Sequence, residues 1–177
     1  MARRFRGFRF RNFRKKFEVR DNITITASGA TDGVTVTADG NFQRSKLPCF
    51  MGSKTADQSL SSGTLITWQT ENLDNGGVFA SSRFTAPVPG IYYFVHESIT
   101  DNNAAYSGDY DFYKNGTATG FRAYADSTGG NYHEWTFGSC ILPLEKDDYV
   151  ELKSVSTQRM YGSTNRSYGH LLGWKIG

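Results

Sequence analysis

The sequence predicts an all-β protein, an antiparallel jelly-roll sandwich of about ten strands, preceded by a short β-stem or hairpin and a basic N-terminal arm. Three observations predict it. Short aromatic and β-branched runs are separated by turn signals, and no long amphipathic helical pattern interrupts them. Aromatic residues make up 15% of the chain beside 19 Gly, a mix that suits many short strands and tight turns. The stretch from Phe84 to Phe94, FTAPVPGIYYF, joins two extended segments at a rigid corner. There Pro87 and Pro89 fix φ and push the residues before them into extended geometry, and Gly90 turns the chain.

A chain of 177 residues has room for one sizeable domain and appendages. Charge divides it. Residues 1–20 hold nine Arg or Lys and one acid, Glu18, a balance of +8; the rest holds eleven basic and sixteen acidic residues, −5, and the two sum to the overall +3. In this arm Phe5, Phe8, Phe10, Phe13 and Phe17 are interleaved with Arg3, Arg4, Arg6, Arg9, Arg11, Arg14, Lys15 and Lys16. Self-repulsion opposes folding of such a segment by itself, while five Phe have no use in a merely solvating tail. Three partners compete for it. Nucleic acid would be bound with a salt slope near −7 for about eight phosphates. An anionic membrane surface would take Arg among its headgroups and Phe below them. A protein partner would take Phe as anchors and pair Arg with acids.

Residues 21–46 read as the stem. Ile23-Thr24-Ile25-Thr26 and Val34-Thr35-Val36-Thr37 alternate apolar and hydroxyl residues, the half-buried strand pattern, with Ser28-Gly29 and Asp32-Gly33 between them. One isolated hairpin is marginal, so its apolar face is expected to pack on the head, on sister chains or on a partner.

Residues 47–177 read as the head. Expected strands are Pro48–Met51, Leu65–Gln69, Val78-Phe79, Arg83-Phe84, Ile91–Ile99, Asp109–Lys114, Phe121–Ala125, Tyr132–Leu142, Tyr149–Ser154 and Tyr168–Ile176. Asn75-Gly76-Gly77 and Asn115-Gly116 mark hairpin turns. In Ile91–Ile99, Tyr92 and Phe94 share one face while Ile91, Tyr93 and Val95 share the other. A strand with one wet face alternates apolar and polar, so here both faces are expected to be covered. Tyr168, His170, Leu172, Trp174 and Ile176 likewise share a face, with Leu171 opposite. Either a loop or another subunit covers the second face.

Several of these motifs, in order, resemble the globular head of complement C1q, the jelly roll shared in shape with tumour necrosis factor. FTAPVPGIYYF is similar to the family's core motif, with Asn72-Leu73-Asp74 and Phe79 ahead of it. Tyr113-Lys114-Asn115-Gly116 is similar to its strand-turn KNG. Leu144–Leu152 is similar to its L-x-x-G-D-x-V-x-L, with Asp147 where Gly is usual. Ser167–Leu172 resembles its terminal strand, with Gly169 displaced. The resemblance covers roughly 130 residues and implies a threefold assembly. On that implication Tyr93, Val95, Tyr168, His170, Leu172 and Trp174 are the expected subunit interface.

No catalytic constellation stands out. His96-Glu97 and His133-Glu134 are neighbours in strands and point to opposite faces, and all three His read as structural imidazoles. Neither a Cys/His metal spacing nor a phosphate-cradling Gly loop is present, and no cofactor is expected. Asp101, Asp109 and Asp111 could gather around a calcium ion, though loop Asp is more often solvated. Cys49 and Cys140 read as two buried thiols rather than a disulfide framework. Tyr106, Tyr124 and Tyr161 are the expected loop residues for a glycan or protein ligand.

No run of about 18 apolar residues is present to cross a membrane as a helix, and the first residues lack the apolar core of a secretory signal. With the basic arm standing where a signal and a collagen-like stalk would be, the expectation is a non-enzymatic viral structural protein, most readily of a bacteriophage. It would be assembled in the host cytoplasm and belong to the virion as a decoration, spike or fibre-type protein. Its arm would dock to capsid or tail proteins, and a homotrimeric head would meet a host receptor or glycan. The alternatives are a soluble cytokine-like or lectin-like head, and a capsid subunit whose arm contacts nucleic acid.

Overall fold

Period-two apolar runs bounded by turn residues form strands wherever the backbone can pair them, and the described chain is strand and turn throughout. The computed structural model describes residues 23–26, 33–36, 42–44, 47–100, 108–125, 134–165 and 168–176. The chain divides into two units, Met1–Ser45 and Lys46–Gly177.

In the first unit β1 (Ile23–Thr26), β2 (Gly33–Val36) and β3 (Phe42–Arg44) form a three-stranded antiparallel sheet in the order β1-β2-β3. Ile23 is opposite Val36 and Ile25 opposite Val34, while Val36 is opposite Phe42. The stem is thus one strand larger than a hairpin. Phe42-Gln43-Arg44 carries too little alternation to reveal itself in sequence. The arm residues lie outside the described residues.

Among the described residues the second unit holds twelve strands, two more than expected. They are β4 (Cys49–Ser53), β5 (Gln58–Leu60), β6 (Thr70–Asn75), β7 (Phe79–Ala80), β8 (Arg83–Thr85), β9 (Gly90–Ile99), β10 (Gly108–Lys114), β11 (Thr117–Ala125), β12 (Trp135–Leu144), β13 (Tyr149–Ser154), β14 (Gln158–Met160) and β15 (Gly169–Lys175). One five-stranded sheet runs β11-β10-β13-β8-β7 and the other β12-β9-β15-β4-β6, with β14-β5 as a two-stranded addition. All pairings are antiparallel. Non-sequential neighbours such as β9-β15-β4 make this a jelly roll rather than a meander.

The facing sides of the two sheets enclose an aromatic core. Phe50 stacks on Phe79 with centroids 4.4 Å apart and on Phe84 at 5.3 Å, and Phe84 meets Phe94 edge-on at 5.3 Å. Tyr92, Phe94, Tyr110, Phe112 and Leu152 are fully buried. Gly52 and Gly173 make room for these rings. A Cβ on Gly173 would lie 2.5 Å from Phe94 Cδ1, and one on Gly52 2.8 Å from Phe79 Cε1.

One expected strand is absent. Leu65–Gln69 alternates in burial, yet it is not a strand; Leu65 makes only an isolated bridge to Lys153. Its amides go elsewhere: Ile66 N–H donates to the Leu152 carbonyl, Thr67 N–H to Gln58 Oε1 and Trp68 N–H to Ser82 Oγ. Side chains satisfy part of the backbone there, so no continuous ladder forms. The strand in this stretch is β6, read in sequence only as the Asn72-Leu73-Asp74 motif. Thiols correct in part: Cys140 is buried and Cys49 half-buried, and both are free.

Candidate functional site

The two outward faces of the head differ in chemistry. On the β11-β10-β13-β8-β7 side charged groups pair with one another. Arg83 and Lys153 both reach Glu151, at 2.8 and 2.9 Å, and Arg122 pairs with Asp109 at 2.9 Å. Arg83 also lies over the Tyr149 ring at 3.9 Å and Lys153 over Tyr113 at 4.6 Å. Burial opposes the Glu151 charge, but Lys153 and Arg83 outweigh it and hold the carboxyl below the usual range.

The outward face of β12-β9-β15-β4-β6 is apolar. Its rows follow from strand register. Ile141 is opposite Tyr93, Tyr93 opposite Trp174 and Trp174 opposite Cys49. The next row is Ser139, Val95, Leu172 and Met51, followed by Leu73 on β6. The third is Phe137, Glu97, His170 and Ser53. The Tyr93 and Trp174 rings meet edge-on at 5.0 Å. Trp135, Phe137 and Ile141 are 60, 61 and 53% exposed, and Leu73, Ile91 and Ile176 are exposed as well. A largely apolar, aromatic surface of this extent has the composition of a docking surface.

Of the expected interface residues, Tyr93, Val95, His170, Leu172 and Trp174 lie together on this face. Tyr168 precedes β15 and packs its ring on Tyr161 at 5.2 Å. Sequence reasoning missed Trp135, Phe137 and Ile141, which continue the face onto the edge strand β12. The alternation Trp-Thr-Phe-Gly-Ser-Cys-Ile was the available signal, with large residues on one side and small ones on the other.

Two of the three expected ligand residues are described. Tyr124 lies within β11 rather than in a loop, Tyr161 follows β14 and packs on Tyr168, and Tyr106 lies outside the described residues. Of the three Asp considered for calcium, Asp101 lies outside the described residues and Asp109 pairs with Arg122. Oδ1 of both Asp109 and Asp111 is buried without a hydrogen-bond partner, and burial raises the Asp111 carboxyl. Among the described residues no three His, Cys, Asp or Glu gather as a metal site.

His96 and Glu97 part to opposite faces. His96 is fully buried, with Nδ1 3.0 Å from the His170 carbonyl and Nε2 3.0 Å from Ser98 Oγ. Burial pushes its pKa down to about 3. His170 Nδ1 stands 2.8 Å from Glu97 Oε1. His133 lies outside the described residues. No described helix is long and apolar enough to cross a membrane.

The family model described as the C1q domain matches residues 49–173. Among solved structures, the globular domain of a zebrafish complement 1qA protein superposes with a TM-score of 0.58 at 17% identity, covering 73% of this chain and 98% of that one. Murine APRIL at pH 8.0 gives 0.58 at 14% identity, covering 74% and 100%. Eiger TNF from S. frugiperda gives 0.56 at 8% identity, covering 75% and 94%. At these identities the structural likenesses speak for the jelly-roll fold.

Proposed function

The chain belongs to the C1q domain family, and from that premise we propose a non-enzymatic binding head that works as a homotrimer carried on a basic anchoring arm. The observation that carries this reading is the apolar outward face of β12-β9-β15-β4-β6. A threefold arrangement, in which the β12 edge of one copy meets the sheet face of the next, covers Phe137 and Ile141 together with Tyr93, Leu172 and Trp174. The ion-paired face is left outward, free for a receptor or glycan.

The finer proposal is a structural protein of a virus particle, bacteriophage in type, displayed as a decoration, spike or fibre component. Its support is the division of charge between a +8 arm of 20 residues and a −5 remainder. Such an arm suits docking to an acidic capsid or tail surface while the head projects. The same Phe/Arg interleaving favours one second reading, a capsid subunit whose arm contacts the packaged genome.

Light scattering on the full-length chain and on a chain beginning at Asp21, each with duplex and single-stranded nucleic acid, tests both. Trimers in both cases, with no nucleic-acid binding, are expected for the docking reading. Binding by the full chain only, with a log–log salt slope near about −7, moves the genome-contacting reading ahead. Monomers in both cases would end the trimer reading.

A further inference from the structure

We infer that the Glu97–His170 pair makes self-association through the apolar face pH-gated, tightening as pH falls. The inference rests on the homotrimer reading. In the rows across β12, β9, β15 and β4, Glu97 and His170 are the acid and the base among positions that are otherwise apolar, hydroxyl or thiol, and the edge strand β6 adds Glu71 opposite Gly52. The two are cross-strand partners in register, with His170 Nδ1 2.8 Å from Glu97 Oε1. Phe137 flanks the pair on β12 and Ser53 on β4, where the Ser53 hydroxyl is taken up by Asn72. Val95 and Leu172 fill the row beside them.

In the single copy the His170 side chain is 14% exposed and that of Glu97 43%. A second copy laid over this face strips water from the Glu97 carboxylate. A desolvated carboxylate is costly unless a counter-charge stays beside it. An imidazolium at 2.8 Å supplies that charge, whereas a neutral imidazole supplies only a hydrogen bond. A counter-charge beside the carboxylate therefore favours the covered state. Assembly takes up protons, and by linkage it weakens as pH rises.

The neighbouring titratable groups do not mimic this behaviour. His96, behind the pair, stays neutral down to about 3, and its protonation would weaken the fold toward acid, the opposite sign. Lys54, after Ser53 on β4, sends its amine inward to Gln58 and Thr67 and titrates near about 8, above the window. On β12 the facing side chains, Trp135 and Phe137, carry no charge, with Glu134 just before the strand. Tyr168, ahead of β15, packs on Tyr161.

The test is sedimentation equilibrium of the full-length chain between about pH 6 and pH 7.5, with Glu97→Gln and His170→Gln beside it and a thermal melt of each at each pH to confirm folding. For the unmodified chain, the concentration at half-dissociation is expected to rise about tenfold across that range. His170→Gln is expected to be flat. Glu97→Gln is expected to reverse the slope, because a cation on the covered face then has no counter-charge. A trimer whose dissociation is flat with pH, or a Glu97→Gln variant that keeps the original slope, overturns the inference and leaves the trimer standing. A monomer at every concentration and pH overturns the homotrimer reading and the inference with it.

Discussion

Lys54 is a lysine with no accessible surface, held by Gln58 Oε1 at 2.5 Å and the Thr67 carbonyl at 2.7 Å. Burial lowers its pKa from 10.5 to about 8, against a smaller opposing effect from Asp57. Between those values the unfolded chain binds a proton that the folded chain does not, so stability rises with pH there, by on the order of 3 kcal/mol at full effect. Below about 8 both states are protonated and the gain is absent. Urea melts from pH 7 to pH 10 are expected to show the rise in the native chain and to lose it in Lys54→Met; parallel curves would refute the assignment. Asp147 carries a φ of 69°, left-handed backbone that glycine adopts without cost. That explains why the turn motif tolerates Gly at this position. Asp147→Gly is expected to stabilise by about 0.5–1 kcal/mol in the same melts, and a loss of stability would show that the exposed Lys146 pairing outweighs the backbone strain.

Hairpins were readable where a side chain states its own backbone requirement. Asn115-Gly116 takes φ of 51° and 79° between Lys114 and Thr117, and Asn115 also caps the neighbouring turn through Asp148 and the Tyr149 amide. The β7–β8 turn has the same hand at Ser81 and Ser82, with φ of 52° and 63°, and no glycine announces it. Ser82 stays because its hydroxyl accepts the Trp68 amide. Close packing leaves a different mark. In β15, alternate residues Gly169, Leu171 and Gly173 face inward, so the expected alternation holds, but the reason for Gly173 is a ring on another strand. Gly173→Ala forces Phe94 and Phe50 to shift and is expected to cost about 1–3 kcal/mol, measured by thermal unfolding. An unchanged midpoint would mean that the aromatic core has slack beneath β15.

At the scale of the whole molecule, unfolding and assembly are one equilibrium if the apolar face is shared between copies. The melting temperature of the full chain is then expected to climb with protein concentration. Leu172→Glu, at the centre of the face, is expected to abolish that climb and give monomers by light scattering while the β-sheet spectrum persists. A concentration-dependent melt that survives Leu172→Glu would place the contact elsewhere.

The all-β class, the two-sided character of β9, the charge division of the arm and the turn at Asn115-Gly116 were all legible in the residues, because each follows from local periodicity or from one residue's backbone preference. The broken ladder of Leu65–Gln69, the third strand of the stem and the extension of the apolar face onto Trp135, Phe137 and Ile141 were settled only in three dimensions. Those depend on which distant groups receive a backbone amide and which strands become neighbours. Periodicity says that a strand has two faces; only the order β12-β9-β15-β4-β6 says which side chains of five separate segments make one surface.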